Sequence, residues 1–296
     1  MTAQLLDGQL VANLVLAELS ERTALLSATG VTAGMGTILV GDDAPSRRYV
    51  AMKHRDAEAL GIYSRDVRLP ATATQEEVME SVQSLNEDPE VHAFILQYPF
   101  PAHLDYSAAL GAVIPAKDAD GLHPFNLGCL VMGEPAPVAC TPAGIVRLLD
   151  HFGINVAGKH VVIVGRGLTI GRPLANLLTL KQPGCNAAVT VVHTGVADLG
   201  GLTRTADVIV AAAGCPDLIT AEMVSPGATV VAAGVSFREG SLRSDVAAEV
   251  EEVAGWLSPT IGGVGPMTRS MLLSNCVAAA EAATSRDAST SAGVSA

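Results

Sequence analysis

The sequence predicts an α/β fold in two domains. Three observations carry this. Apolar runs alternate with segments of helical spacing twice over, once before residue 100 and once after residue 160. The run Val161-Val162-Ile163-Val164 stops at Gly165, and Gly167, Gly171 and Pro173 follow, as in a strand, a tight turn and a helix N-terminus. The 296 residues are enough for two domains of ordinary size.

The elements follow in order. Leu10–Leu26 carries apolar residues at helical spacing, and Gly36–Val40 reads as a strand. Ser46–Leu60 reads as a helix with Ser46 as its N-cap. Val67–Leu69 is a weak strand, and Gln75–Asn86 is a helix with the acidic first turn that its dipole favours. Val91–Gln97 is a clearer strand. This β-α-β-α-β order implies a parallel sheet with helices packed on it. Residues 97–142 are rich in Pro and Gly and read as loops with one short helix, Tyr106–Val113. Thr141–Phe152 is helical, with Pro142 in its first turn. A second α/β run then gives strand 160–164, helix 172–180 and strands 189–192, 207–212 and 229–233. Met267–Ala283 is an Ala-rich helix whose sequence allows it to return to the first domain. Residues 284–296 are small and polar, without periodicity, and read as a disordered tail. The expected division is therefore 1–139 plus 267–283 as one domain and 140–266 as the other.

Composition narrows the function. The chain is 49% hydrophobic but only 3% aromatic, so its core must be built from Ala, Val, Leu and Ile. A net charge of −12 argues against general nucleic-acid binding, which needs a basic footprint. The five cysteines form no CxxC pair and no metal-ligand spacing, as suits a reducing compartment. No run reaches the ~18 apolar residues of a membrane span and no apolar leader is visible, so the expected location is the cytoplasm.

Several runs have residue types suited to chemistry. The Gly165–Gly171 turn opens a helix, where free N–H groups and the dipole favour an anion and glycines allow close approach of a pyrophosphate. Its GxGxxxG spacing fits a dinucleotide site or a purely structural turn. Tyr49 and Lys53 lie four apart on a helix, beside the stripe Val50, Ala57 and Leu60; they make either a proton-handling pair or a Tyr beside a solvated Lys. A Tyr-x-x-x-Lys pair also occurs in short-chain dehydrogenases, but there it follows the glycine fingerprint. Here it precedes Gly165 by more than a hundred residues, which excludes that reading. Gln97 ends a strand on the usual ligand side of an open sheet, with Pro99 and Pro101 extending the loop beyond it. In Lys117-Asp118-Ala119-Asp120-Gly121-Leu122-His123, Asp120 either shapes a turn or accepts two N–H groups of a heterocycle, and the carboxylates with His123 raise a metal site that no second cluster supports. Gly262-Gly263-Val264-Gly265-Pro266 is another glycine turn before a helix, structural or cofactor-facing.

Taken together and in order, Tyr49–Lys53, Gln97–Pro101, Lys117–His123, Cys140-Thr141-Pro142, Gly165–Pro173 and Gly262–Thr268 resemble the bifunctional methylenetetrahydrofolate dehydrogenase/methenyltetrahydrofolate cyclohydrolase family. The resemblance spans about residues 4–283. It implies an N-terminal α/β domain for folate and catalysis, a C-terminal Rossmann-like NAD(P) domain with a cleft between them, and a homodimer. It implies oxidation of 5,10-methylenetetrahydrofolate to the methenyl cation, then hydrolysis to 10-formyltetrahydrofolate, within one-carbon metabolism and purine biosynthesis. The partners implied are tetrahydrofolate derivatives, with no nucleic acid and no membrane.

By the same resemblance, Lys53 is the acid/base that handles the proton of water, Gln97 hydrogen-bonds Lys53, Tyr49 orients the folate ring, and Asp120 holds the pterin N–H groups. Gly262, Gly263 and Pro266 join Tyr49, Gln97 and Asp120 in binding substrate. Gly165, Arg166, Gly167, Ile170 and Gly171 hold the cofactor, with Thr194, Val235 and Thr141. The second strand of the Rossmann-like run ends His193-Thr194-Gly195 with no acid for a ribose diol, and Arg166 suits a 2′-phosphate. This favours NADP, with NAD as the alternative. No metal is implied.

The chain departs from the family pattern at several positions. Gly167 stands for Ser, Ala232 for Asp, Ser244 for Gly, Ile261 for Pro and Ala139 for Pro, while Tyr98 and Phe100 stand for two Leu. The changes at 232, 244 and 261 motivate an alternative, a divergent folate-binding paralogue with weak or no dehydrogenase activity. An unrelated NADP-dependent dehydrogenase is the third reading.

Overall fold

The computed structural model describes residues 2–238 and 241–293, with side chains at 2–237 and 241–285. In chain order the elements are β1 (Gln4–Leu5), α1 (Gly8–Ala28), β2 (Gly34–Val40), α2 (Ala44–Ala59), β3 (Tyr63–Leu69), α3 (Gln75–Glu87), β4 (Ala93–Gln97), α4 (Tyr106–Gly111), α5 (Pro124–Met132), α6 (Cys140–His151), β5 (His160–Val164), α7 (Gly171–Thr179), β6 (Ala188–Val192), α8 (Leu199–Thr203), β7 (Val208–Ala211), β8 (Thr229–Ala232), β9 (Val235–Arg238), β10 (Ser241–Ser244), β11 (Trp256–Leu257) and α9 (Val264–Gly293). They form two compact units. One comprises 14–129, 135–138 and the chain from Met271 onward; the other comprises the chain up to Asn13, 130–134 and 139–270.

The first unit holds a parallel sheet in the order β3-β2-β4. All seven residues of β2 are buried, as expected for a central strand covered on both faces. Met35, Ile38 and Leu39 of β2 pack in a core with Phe94 and Ile95 of β4 and Leu85 of α3, all at most 2% exposed. α3 starts at a capping box, in which Thr74 accepts from the Glu77 N–H and the Glu77 side chain accepts from the Thr74 N–H.

The second unit holds a six-stranded sheet in the order β1-β11-β8-β7-β5-β6, every pairing parallel. Its central strands read as unbroken apolar runs because both faces are covered. Val161, Val162, Ile163 and Val164 are all fully buried. Each such side chain stabilises the fold by about 1.5–3 kcal/mol relative to exposure. β9 and β10 form a separate antiparallel pair.

Four expectations are corrected. The N-cap of α2 is Asp43, not Ser46: the Asp43 carboxylate accepts from the Ser46 N–H at 2.9 Å and its hydroxyl at 2.7 Å, so the chain enters the helix three residues earlier. The segment 97–142 contains a second helix, α5, whose exposed Phe125, Val131 and Met132 hide its period. The helix at 106 ends at Gly111 rather than Val113. The last helix does not stop at Ala283 but continues to Gly293, with Thr284 and Ser285 hydroxyls donating back to the carbonyls of Ala280 and Glu281. Residues 294–296 of the expected tail lie outside the described residues. The two-residue strands β1 and β11 and the β9–β10 pair are too short to show a period.

Candidate active site

α2 buries Ser46, Val50, Lys53 and Ala57, which are one helical stripe at spacings of four, three and four. Lys53 therefore lies in the stripe, not beside it, and is only 4% exposed. A buried ammonium needs polar partners. Lys53 Nζ donates to Gln97 Oε1 at 3.1 Å and lies 4.6 Å from the centroid of the Tyr49 ring, within cation–π range. Gln97 stands at the C-terminal end of β4, whose neighbour β2 leads through a short loop into α2. The parallel topology thus brings side chains 44 positions apart into contact.

Asp118 and Asp120 have separate jobs. Asp118 is 2% exposed; its Oδ1 accepts from the Gly121 N–H at 3.0 Å, and its Oδ2 accepts from the His123 N–H at 2.7 Å and Asn126 Nδ2 at 2.9 Å. Burial pushes its carboxyl up and these donors oppose that. Asp118 is therefore the residue that builds the turn. Asp120 is half-buried and hydrogen-bonds no other described residue, which leaves its two oxygens for a ligand. Its charge reaches the Tyr106 phenol, which is pushed above its usual value by burial first and by Asp120 second. Tyr106 is wedged edge-on against Tyr98 at 5.3 Å and Phe100 at 5.1 Å, so the two residues that stand for Leu complete an aromatic cluster. Cys276 of α9 is fully buried and its thiol is pushed up to about 12 by burial, with Lys53 lowering it and Asp120 raising it. Asn275 beside it donates to the carbonyls of Ala119 and Val138. Sequence reasoning missed Tyr106 and Cys276, because neither has a local pattern; only packing around Asp120 and Lys53 marks them.

In the second unit, Gly165 follows β5 at φ +138°, and a Cβ there would lie 2.1 Å from the Ala212 carbonyl oxygen. A Cβ on Gly171 would lie 2.1 Å from the Gly165 carbonyl oxygen. At both positions the chain's own backbone comes too close for any side chain, so the two glycines are what let the turn between β5 and α7 be this tight. Gly167 is different: nothing lies within 4 Å of a Cβ there, so the space admits the Ser of the family pattern. α7 begins after Ile170 with no side-chain cap, leaving its N-terminus for an anion, and Arg166 beside it is exposed. Thr194 is exposed just beyond β6, the strand paired with β5. Val235, at the start of β9, is 43% exposed.

The remaining expected residues lie at the start of α9. Gly262 has φ +84° and accepts from the Gln9 N–H at 2.8 Å, a Cβ on Gly263 would lie 2.3 Å from the Pro259 carbonyl oxygen, and Pro266 is buried in the first turn. Thr141 Oγ1 lies 3.0 Å from Thr268 Oγ1, which ties α6 to this turn. The departures are accommodated. The Ala232 N–H donates to Ser258 Oγ at 2.8 Å, the Ser244 hydroxyl accepts from the Val246 N–H at 3.0 Å, and Ile261 is 79% exposed. Asp245, which carried no expectation of its own, is fully buried and accepts from the N–H groups of Ala213 and Gly214. Among the described residues no group of three or more His, Cys, Asp or Glu is arranged to hold a metal ion.

Comparison with known proteins agrees with this layout. Residues 6–120 match the family model of the tetrahydrofolate dehydrogenase/cyclohydrolase catalytic domain, and residues 139–284 match that of its NAD(P)-binding domain. The chain is 53% identical over 281 residues to the bifunctional protein FolD of Syntrophotalea carbinolica, covering 95% of this chain and 97% of that one. Among solved structures, the bifunctional FolD of Campylobacter jejuni superposes with a TM-score of 0.90 at 38% identity, covering 94% of this chain and 99% of that one. The Trypanosoma brucei dehydrogenase-cyclohydrolase, solved with NADP and an inhibitor, does so with a TM-score of 0.90 at 37% identity, covering 96% and 99%.

Proposed function

The chain belongs to the tetrahydrofolate dehydrogenase/cyclohydrolase family, and we propose a division of that family's chemistry among its own residues. It is a bifunctional enzyme that oxidises 5,10-methylenetetrahydrofolate with NADP and hydrolyses the 5,10-methenyl product to 10-formyltetrahydrofolate. Nothing favours a divergent paralogue.

The observation that carries the residue assignment is the buried Lys53 held between Gln97 Oε1 and the Tyr49 ring. In the hydrolysis, water forms a C–O bond to the amidinium carbon and gives up a proton; a C–N bond then breaks, that nitrogen takes a proton, and the new hydroxyl releases its own proton to solvent as it becomes the formyl C=O. Lys53 is the group suited to take the first proton as the neutral amine and to return it to the nitrogen as the ammonium. Gln97 fixes the direction of the amine, and Tyr49 supplies a flat face for the folate ring. Asp120, with both oxygens free of other described residues, accepts the pterin N–H groups. Gly262, Gly263 and Pro266 are assigned to substrate binding on the family resemblance.

The tight glycine turn after β5, open at Gly167, and the α7 N-terminus without a side-chain cap suit a dinucleotide. Gly165, Arg166, Gly167, Ile170 and Gly171 hold its phosphates, with Thr194, Val235 and Thr141 at its flanks. NADP supplies the hydride acceptor when bound. Arg166, and the absence of an acid in His193-Thr194-Gly195, suit the 2′-phosphate of NADP.

No helix among the described residues is long and apolar enough to cross a membrane. We place the enzyme in the cytoplasm as a homodimer that feeds purine biosynthesis, on the family resemblance. Incubation with methylenetetrahydrofolate and NADP⁺ is expected to raise methenyl absorbance and then consume it. No turnover with either nicotinamide cofactor would overturn the reading.

A further inference from the structure

Asp245 is fully buried, yet no step of the chemistry above uses it. Its Oδ2 accepts from the Ala213 N–H at 2.6 Å and the Gly214 N–H at 2.8 Å, while Oδ1 is buried with no hydrogen-bond partner among the described residues. Burial pushes this carboxyl up, and the N–H groups of Ala213, Gly214 and Cys215 oppose that. What the carboxylate does is order backbone. Ala213 and Gly214 follow β7, and the preceding Ala212 carbonyl oxygen is the atom that a Cβ on Gly165 would meet at 2.1 Å. The loop after β7 therefore forms the wall of the glycine turn.

The same carboxylate orders a second loop. A Cβ on Gly234 would lie 1.9 Å from Asp245 Oδ2, and the Asp245 N–H donates to the Gly234 carbonyl at 3.0 Å. Gly234 follows β8 and directly precedes Val235. Since β8, β7 and β5 are neighbours in the sheet, one carboxylate sets two adjacent loops at its ligand-side edge.

We propose that Asp245 is a positioning residue of the dinucleotide site, clamping the loops after β7 and β8 into the shape that NADP requires. The proposal rests on the functional reading above. Asp245 acts through Ala213, Gly214 and Gly234, and it is set apart from the turn residues by being wholly buried beneath them.

The test compares wild type, Asp245→Ala and Asp245→Asn by NADPH fluorescence titration, thermal unfolding and hydrolysis of supplied methenyltetrahydrofolate. Asp245→Ala is expected to weaken NADPH binding by about tenfold or more, and Asp245→Asn, which retains an acceptor but no charge, by a smaller factor of at least threefold. Methenyl hydrolysis, whose Lys53, Gln97 and Asp120 lie in the other unit, is expected to stay within about threefold. A merely structural role lowers the melting temperature without moving the Kd of the folded protein, so an unchanged NADPH Kd in Asp245→Ala overturns the proposal. If Asp245→Ala is not recovered folded, Asp245→Asn decides: a Kd at least threefold weaker supports the clamp, and a smaller change overturns it. A wild-type protein that fails to bind NADPH overturns the functional reading instead.

Discussion

Gln97 presents its carbonyl oxygen to Lys53 because its own amide nitrogen is already committed. Nε2 donates to the Tyr98 carbonyl at 2.8 Å, which leaves Oε1 facing Lys53 Nζ at 3.1 Å. The backbone of the loop beyond β4 thus sets which end of the amide the lysine meets.

Two variants separate the roles of this pair. Lys53→Met removes the proton carrier and is expected to cut methenyl hydrolysis by at least about a hundredfold. NADPH affinity is expected to stay within about twofold, because the glycine turn is in the other unit. Gln97→Glu places a carboxylate against the ammonium and favours the charged lysine. The pH–rate profile of hydrolysis should then move to higher pH. An unmoved profile would show that Gln97 does not act through Lys53.

The two acids of the 118–120 segment are expected to respond differently. Asp118→Asn removes a charge that accepts three hydrogen bonds in the interior and should cost about 2 kcal/mol of stability, read by denaturant unfolding. Asp120→Asn leaves those bonds alone. It should change stability by less than about 0.5 kcal/mol, while raising the KM for methylenetetrahydrofolate about tenfold or more, the loss of one charge-assisted contact.

The three glycines of the phosphate turn are not equivalent. Gly171→Ala drives a methyl into the Gly165 carbonyl and should weaken NADPH binding at least tenfold. Gly167→Ser meets open space, so stability should change by less than about 0.5 kcal/mol and NADPH affinity by less than about threefold. A tenfold loss in Gly167→Ser, measured by the same titration, would mean that the hydroxyl obstructs the phosphate.

Stability should also carry a histidine signature. His54 Nε2 lies 2.8 Å from the buried Thr37 hydroxyl, and burial holds the imidazole below its usual value, with Asp66 opposing and Arg68 and Lys53 assisting. The unfolded histidine takes up its proton near pH ~6.5 and the folded one only at lower pH. Between those points the unfolded state binds more protons, so stability falls as pH drops below about 6.5 and is fully present above it. His92 shifts in the same direction. His54→Gln should therefore shrink, but not abolish, the loss of stability between pH 7 and 5.

Much of this was legible in the chain itself. The strand–glycine–helix pattern at 160–179 and the alternation at 34–97 are local, so their periods survive in one dimension. The ordered set of motifs pointed to folate and NADP chemistry across nearly the whole length. α5 was not legible, because its apolar residues face outward as well as inward. The N-cap at Asp43 was hidden by Ser46, an equally good capping residue three positions on.

By itself the sequence determined the α/β class, the two glycine-rich turns and which residue types were present for catalysis. Tertiary structure decided what those residues do. Lys53 on a helix reads as solvated until the sheet that buries it is in place, and then it requires Gln97. Asp118 and Asp120 are indistinguishable as letters until one is seen holding three donors and the other none. Asp245 shows no pattern at all, because the N–H groups it accepts from, those of Ala213 and Gly214, lie some thirty positions away along the chain. Burial and long-range hydrogen bonding are properties of neighbours in space, and a one-dimensional period records only neighbours in sequence.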